Sequence, residues 1–176
     1  VVEAEAGRVD GLAPALLEHQ FGGQSPVPPL ELDADGETVR LQGRIDRVDA
    51  APGRLLVIDY KSGGDASRHR KLLAPEAFGV TSFQVPLYLL AAGRALPDRV
   101  PAATYLLLGS AERVEPVTGR PDQAALARAV IGAVRRARGG DLPIASRDCK
   151  RCEFGAVCRF EGEATLGGEA DAEVAP

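Results

Sequence analysis

Residues Gly43 to Lys61, GRIDRVDAAPGRLLVIDYK, constrain this chain more than any other stretch. Two segments with strand composition are joined by a short Pro-Gly turn, and each carries an acid near its end: Asp46, then Asp59, with Lys61 two residues further on. Side chains two apart on a strand share a face, so Asp59 and Lys61 are expected on the same side. Two carboxylates and an ammonium can then converge. The second segment, Leu55 to Tyr60, is apolar on both faces until Asp59, as in a central strand covered on both sides. An ionised carboxylate ending such a strand is costly unless a cation or hydrogen bonds compensate it, which makes Asp59 a candidate metal ligand. A salt-bridged strand pair, with Asp46 and Asp59 holding Arg44, Arg47 or Lys61, would satisfy the same pattern.

The flanks supply the layers around these strands. Residues 9 to 21 carry Leu12, Leu16 and Leu17 at helical spacing before Gly22 and Gly23, which predicts a short helix with Glu18 and His19 as surface residues at its end. A Pro-rich connector leads to a brief strand near Leu30 to Leu32, and residues 38 to 49 alternate as one strand. After Lys61 a polar loop contains Arg68, His69, Arg70 and Lys71, suited either to solvent or to phosphate contact. Ser82 is expected to cap a helix through FQVPLYLLAAGRAL with Pro86 in its first turn. Gln84 and Tyr88, four apart, then share a face at the helix start, where the dipole favours an anion. A second pair of strands, ATYLLLGS and AERVEPV, closes a mixed or antiparallel sheet. Pro121 opens a last helix to Arg138, with Leu126, Val130, Ala133, Val134 and Ala137 as its buried stripe and Arg135, Arg136 and Arg138 complementing its C-terminal dipole.

The final motif is DCKRCEFGAVCRF, which places Cys149, Cys152 and Cys158 in a C-x2-C-x5-C pattern and uses every cysteine in the chain. An odd count this closely spaced points to a thiolate site rather than to disulfides. A structural zinc site takes four ligands and a four-iron cluster takes four thiolates, so these three complete neither alone.

The 176 residues, 45% hydrophobic and 26% charged, fit one globular domain over 1–160, followed by an acidic, solvated tail over 161–176. Without that tail, which has five acids and no Lys or Arg, 20 acids face 21 bases. This near-neutral balance neither demands nor excludes nucleic acid. No apolar run approaches the roughly 18 residues that span a bilayer, so no membrane partner and a cytoplasmic location are expected. A chain starting at Val1 without Met is expected to be a piece of something longer.

GRIDRVD, VIDYKSG and QVPLY, in that order and followed by the cysteine pattern, resemble the successive motifs of the RecB-like branch of the PD-(D/E)xK nuclease superfamily, iron-sulfur subgroup. That subgroup includes the nuclease domains of AddB-type helicase-nucleases and the nuclease of CRISPR adaptation. The resemblance covers roughly residues 18 to 160. It implies an α/β fold, a central mixed β-sheet flanked by helices around a restriction-endonuclease-like core. It implies further that Asp46 and Asp59 bind Mg2+ or Mn2+ with the Tyr60 backbone carbonyl, that Lys61 orients or activates the attacking water, and that Gln84 and Tyr88 position the lysine and the DNA strand. Cys149, Cys152 and Cys158 would hold a 4Fe-4S cluster that staples the fold. Such nucleases carry a metal-binding His and the first cluster Cys upstream, so both are expected in an N-terminal part outside this chain.

The function so implied is a metal-dependent DNA nuclease, an exonuclease acting in end processing, recombination or repair beside a helicase partner or helicase domain. The alternatives are a non-catalytic DNA-binding or scaffold domain that retains the nuclease fold, and a zinc-binding interaction module.

Overall fold

The structure is a computed structural model, and it describes residues 10–63 and 65–141. Its centre is a six-stranded sheet ordered β1-β4-β5-β6-β7, with β8 also paired to β6. The strands are β1 (Ala13–Phe21), β4 (Gly43–Ala51), β5 (Arg54–Lys61), β6 (Val100–Leu107), β7 (Glu112–Arg113) and β8 (Val117–Thr118), while β2 (Leu30–Ala34) and β3 (Glu37–Leu41) form a separate hairpin. The described residues hold three α-helices: α1 (Ala66–Leu73), α2 (Gln84–Ala95) and α3 (Gln123–Arg138). β5 pairs antiparallel with β4 and parallel with β6, so the sheet is mixed. A parallel pair needs a long crossover, and here it carries α1 and α2.

Alternation sorts the side chains. Leu55 and Val57 of β5 and Ala103, Tyr105 and Leu107 of β6 join one core cluster with Val85, Leu89 and Ala92 of α2 and Leu126 and Val130 of α3. The intervening residues Leu56, Ile58 and Leu106 form a second, smaller cluster with Leu12, Tyr60 and Ala102. Leu55 to Ile58 are all buried, as expected for a central strand. The chain divides into two compact units after Arg135, in the last turns of α3. The described part of the second unit is the end of that helix and its glycine stop, where Gly140 N–H bonds to Ala137 O at φ 73°. No helix among the described residues is long and apolar enough to cross a membrane.

Several local expectations are corrected. Residues 13 to 21 are the edge strand β1, not a helix. Backbone pairing with β4 overrides the leucine spacing, and Leu16 packs on the core while Leu17 is exposed. Residues 38 to 49 are not one strand, since the break at Gln42 puts β3 and β4 in different sheets. The polar loop after Lys61 contains α1, capped by Asp65, whose carboxylate accepts the Ser67 N–H. Ser82 does not cap α2, because its backbone is tied to the preceding turn through Ala77 O. Phe83 stands at the cap, and Pro86 falls in the first turn, where its missing N–H costs nothing. The last helix begins at Gln123, with Asp122 accepting the Ala125 N–H, rather than at Pro121. Its buried stripe is Leu126, Ala127, Val130 and Ile131, while Ala137 is exposed. The segment 161–176 and the cysteine segment lie outside the described residues.

Candidate active site

Four of the five side chains singled out as catalytic contact one another at the end of β5. Asp59 is 3% exposed, the last buried residue of its strand. Two residues on, Lys61 brings Nζ to 2.5 Å from Asp59 Oδ2, as strand alternation requires. α2 delivers the third member: Gln84, its first residue, donates from Nε2 to Asp59 Oδ1 at 2.8 Å, and its Oε1 accepts from Lys61 Nζ at 3.1 Å. An amide has one donating and one accepting end, so a carboxylate and an ammonium on either side fix its orientation. Asp59, Lys61 and Gln84 thereby close a ring of contacts. Tyr88, one turn further along α2, accepts from Gln84 Nε2 at 3.4 Å.

Asp46 enters differently. The β4–β5 ladder stops at the Arg47–Ile58 pair, and the next free N–H on β5, that of Tyr60, bonds to Asp46 Oδ2 at 3.0 Å. The salt-bridge alternative is met only in part. Lys61 does pair with Asp59, but Arg47 forks onto Asp49 at 2.6 and 2.9 Å, and Arg44 pairs with Glu18 of β1 at 3.0 Å.

The electrostatics favour a cation. Burial pushes the Asp59 carboxyl above its usual range, and the Asp46 charge pushes it further, against the Lys61 hydrogen bond and charge and the more distant His69. Asp59 Oδ2 is buried and is held by the Lys61 ion pair at 2.5 Å. Two carboxylates on neighbouring strands, one of them buried and feeling the other's charge, suit a hard divalent ion, which Mg2+ sites hold with one or two carboxylates and several waters. Among the described residues no group of three or more His, Cys, Asp or Glu is placed to hold a metal. Cys149, Cys152 and Cys158 lie outside the described residues.

Two further residues at this site belong to none of the sequence motifs. Tyr105 of β6 stands opposite Asp59 in the parallel register, its ring centroid 5.1 Å from Lys61 Nζ. Burial, together with the charges of Asp59 and Tyr88, pushes its phenol up to about 12. His69 of α1 packs its ring 5.0 Å from that of Tyr105 and has a buried Nδ1 without a hydrogen-bond partner. The one signal for Tyr105 is an aromatic among small and aliphatic residues in ATYLLL. For His69 the one signal is its place in the charged run Arg68 to Lys71, which reads as a loop rather than as a helix facing the core.

Comparison with known proteins identifies the family. Residues 2–159 match the family model of the PD-(D/E)XK nuclease superfamily. The chain is 40% identical over 116 residues to an ATP-dependent helicase/deoxyribonuclease subunit of Symbiobacterium thermophilum, covering 59% of this chain and 9% of that protein. The corresponding protein of Moorella thermoacetica is 41% identical over 99 residues, 53% of this chain and 8% of its own length. A CRISPR-associated exonuclease Cas4/endonuclease Cas1 fusion of Myxococcus xanthus is 31% identical over 150 residues, 80% of this chain and 25% of the fusion. The chain thus spans less than a tenth of those helicase/deoxyribonuclease proteins and a quarter of the fusion. With a match over nearly its whole length, the chain belongs to the PD-(D/E)XK nuclease superfamily.

Proposed function

We propose that this chain is a divalent-cation-dependent DNA nuclease domain, an exonuclease working with a helicase in DNA end processing, recombination or repair. One observation carries the reading: the closed ring of Asp59, Lys61 and Gln84 at the buried end of β5, with the Asp46 carboxylate bonded to the Tyr60 N–H beside it. The bacterial relatives named as helicase/deoxyribonucleases support the substrate and the helicase partner.

Asp46, Asp59 and the Tyr60 carbonyl would hold Mg2+ or Mn2+, which supplies charge stabilisation at the scissile phosphate and an acidified water. Lys61 places its side-chain nitrogen beside that position, where negative charge develops on phosphoryl oxygens, and can orient the attacking water. Gln84 fixes both Lys61 and Asp59, so neither reorganises during the reaction. Tyr88 extends the polar edge along α2 towards the DNA strand. Cys149, Cys152 and Cys158 would contribute three thiolates to a 4Fe-4S cluster that clamps the fold, and iron, sulfide and zinc analysis of anaerobically purified protein tests that assignment.

Degradation of end-labelled linear DNA with and without Mg2+ tests the activity. Asp59→Ala and Lys61→Ala should each abolish cleavage while leaving DNA binding largely intact, and wild-type turnover by either variant would sink the assignment. DNA binding by the wild type without any metal-dependent cleavage would favour the scaffold alternative.

A further inference from the structure

Lys61 has a third neighbour that the family motifs do not include. We propose that Tyr105 is a positioning residue of this site, its ring face carrying the Lys61 ammonium and holding it beside Asp59. The Nζ-to-centroid distance of 5.1 Å lies within the range, about 6 Å, over which a ring quadrupole attracts a cation.

The ring is well placed to act as a fixed surface. Tyr105 is 1% exposed and sits in the middle of β6, paired in parallel register with Asp59. From α1 the His69 ring packs against it at 5.0 Å and 53°, an edge-tilted contact that buttresses the tyrosine from the helix side. The ring is thus buried and packed against His69, whereas Lys61 has a flexible four-carbon stem and is 27% exposed. Asp59 is also a proposed cation ligand. Once its oxygens are engaged elsewhere, Lys61 keeps one hydrogen bond, to Gln84 Oε1, and the face of Tyr105. A single hydrogen bond fixes a distance but not the direction of a long side chain, and the ring supplies the second constraint.

The placement of Lys61 can be read without any activity; the kinetic consequence rests on the nuclease reading. The chain has only three lysines, Lys61, Lys71 and Lys150, so a full-length sample labelled with 13C-lysine gives three sets of ε-methylene signals, and Lys61→Gln identifies one of them. That signal should be shifted upfield by the ring in the wild type, keep the shift in Tyr105→Phe and lose it in Tyr105→Met. On labelled DNA, Tyr105→Phe should retain kcat within about threefold, and Tyr105→Met should lose about tenfold or more in kcat at similar KM. Thermal melts identify any variant that has lost its fold.

An unshifted Lys61 signal in the wild type, a shift that survives in Tyr105→Met, or full kcat in a folded Tyr105→Met overturns the proposal. A kcat in Tyr105→Phe as low as in Tyr105→Met also overturns it, since the hydroxyl rather than the ring would then matter. A wild type that cleaves no DNA but has a ring-dependent Lys61 shift sinks the nuclease reading and supports the placement of Lys61 on Tyr105.

Discussion

The Asp46 carboxylate accepts the backbone N–H of Tyr60 at 3.0 Å, just past the last pair of the β4–β5 ladder, Arg47 with Ile58. A side-chain oxygen has taken the place of a main-chain carbonyl. The two strands can therefore separate at the site without leaving that N–H orphaned, and the separating strand brings its charge towards Asp59.

This substitution gives Asp46 two separable duties. Asp46→Ala removes the acceptor as well as the charge and should cost about 1 kcal/mol of stability, since the Tyr60 N–H it leaves unmet is half-buried. Asp46→Asn keeps an oxygen for Tyr60 and should melt close to the wild type. Mg2+ should raise the melting temperature of the wild type, adding about 2.7 kcal/mol of stability at a hundredfold excess over Kd, and both variants should abolish that rise. Differential scanning with and without MgCl2 checks both duties.

Asp59 makes the metal-free protein sensitive to pH. Its folded pKa is raised above the ordinary aspartate value, so in the interval between the two the native state binds the proton more tightly than the unfolded chain. Stability is highest below the unfolded pKa and falls as pH rises through the folded pKa. Asp59→Asn, which cannot ionise, should gain on the wild type across that interval and hold its gain above it. Melts in EDTA at a series of pH values measure the difference, and a pH-independent gap would contradict the burial argument.

Gln84 links the ring of contacts through both ends of its amide. Gln84→Leu leaves Asp59 Oδ1 and Lys61 each without that partner, and hydrogen bonds to charged groups contribute about 1.5–3 kcal/mol. Cleavage should fall by about tenfold or more in kcat, with DNA affinity changed little. Single-turnover cleavage beside an equilibrium binding assay separates the two.

Gly43 opens the first acidic motif for a steric reason. A Cβ there would lie 2.7 Å from Phe21 Cζ, and Phe21 is itself buried. Gly43→Ala should cost about 1–3 kcal/mol by overpacking. Adding Phe21→Leu should restore part of that loss, so the double variant melts above the sum of the two single changes. Denaturant unfolding of the four proteins gives the coupling directly.

Much of the site is legible in the amino-acid sequence. Asp59 and Lys61 read as neighbours because a strand has a strict period of two, and Gln84 and Tyr88 because residues four apart on a helix share a face. The central position of β5 follows from its unbroken apolar run. The edge strand β1 defeats a local reading because Leu12, Leu16 and Leu17 fit a helix, and only the backbone of β4, about thirty residues away in sequence, decides otherwise. α1 is hidden because charged residues cover most of its surface, and a short apolar stripe is hard to see in so few turns.

What the sequence determined by itself is the local chemistry: two acids and a lysine at strand ends, an amide and a phenol on one helix face, and a motif order that specifies a superfamily. Tertiary structure alone decided that Asp46 reaches the Tyr60 N–H, that Gln84 spans Asp59 and Lys61, and that Tyr105 and His69 lie behind the lysine. These contacts join residues far apart in the chain. Periodicity fixes which way a side chain faces within its own element, whereas its partner across the core is fixed by strand register and helix packing.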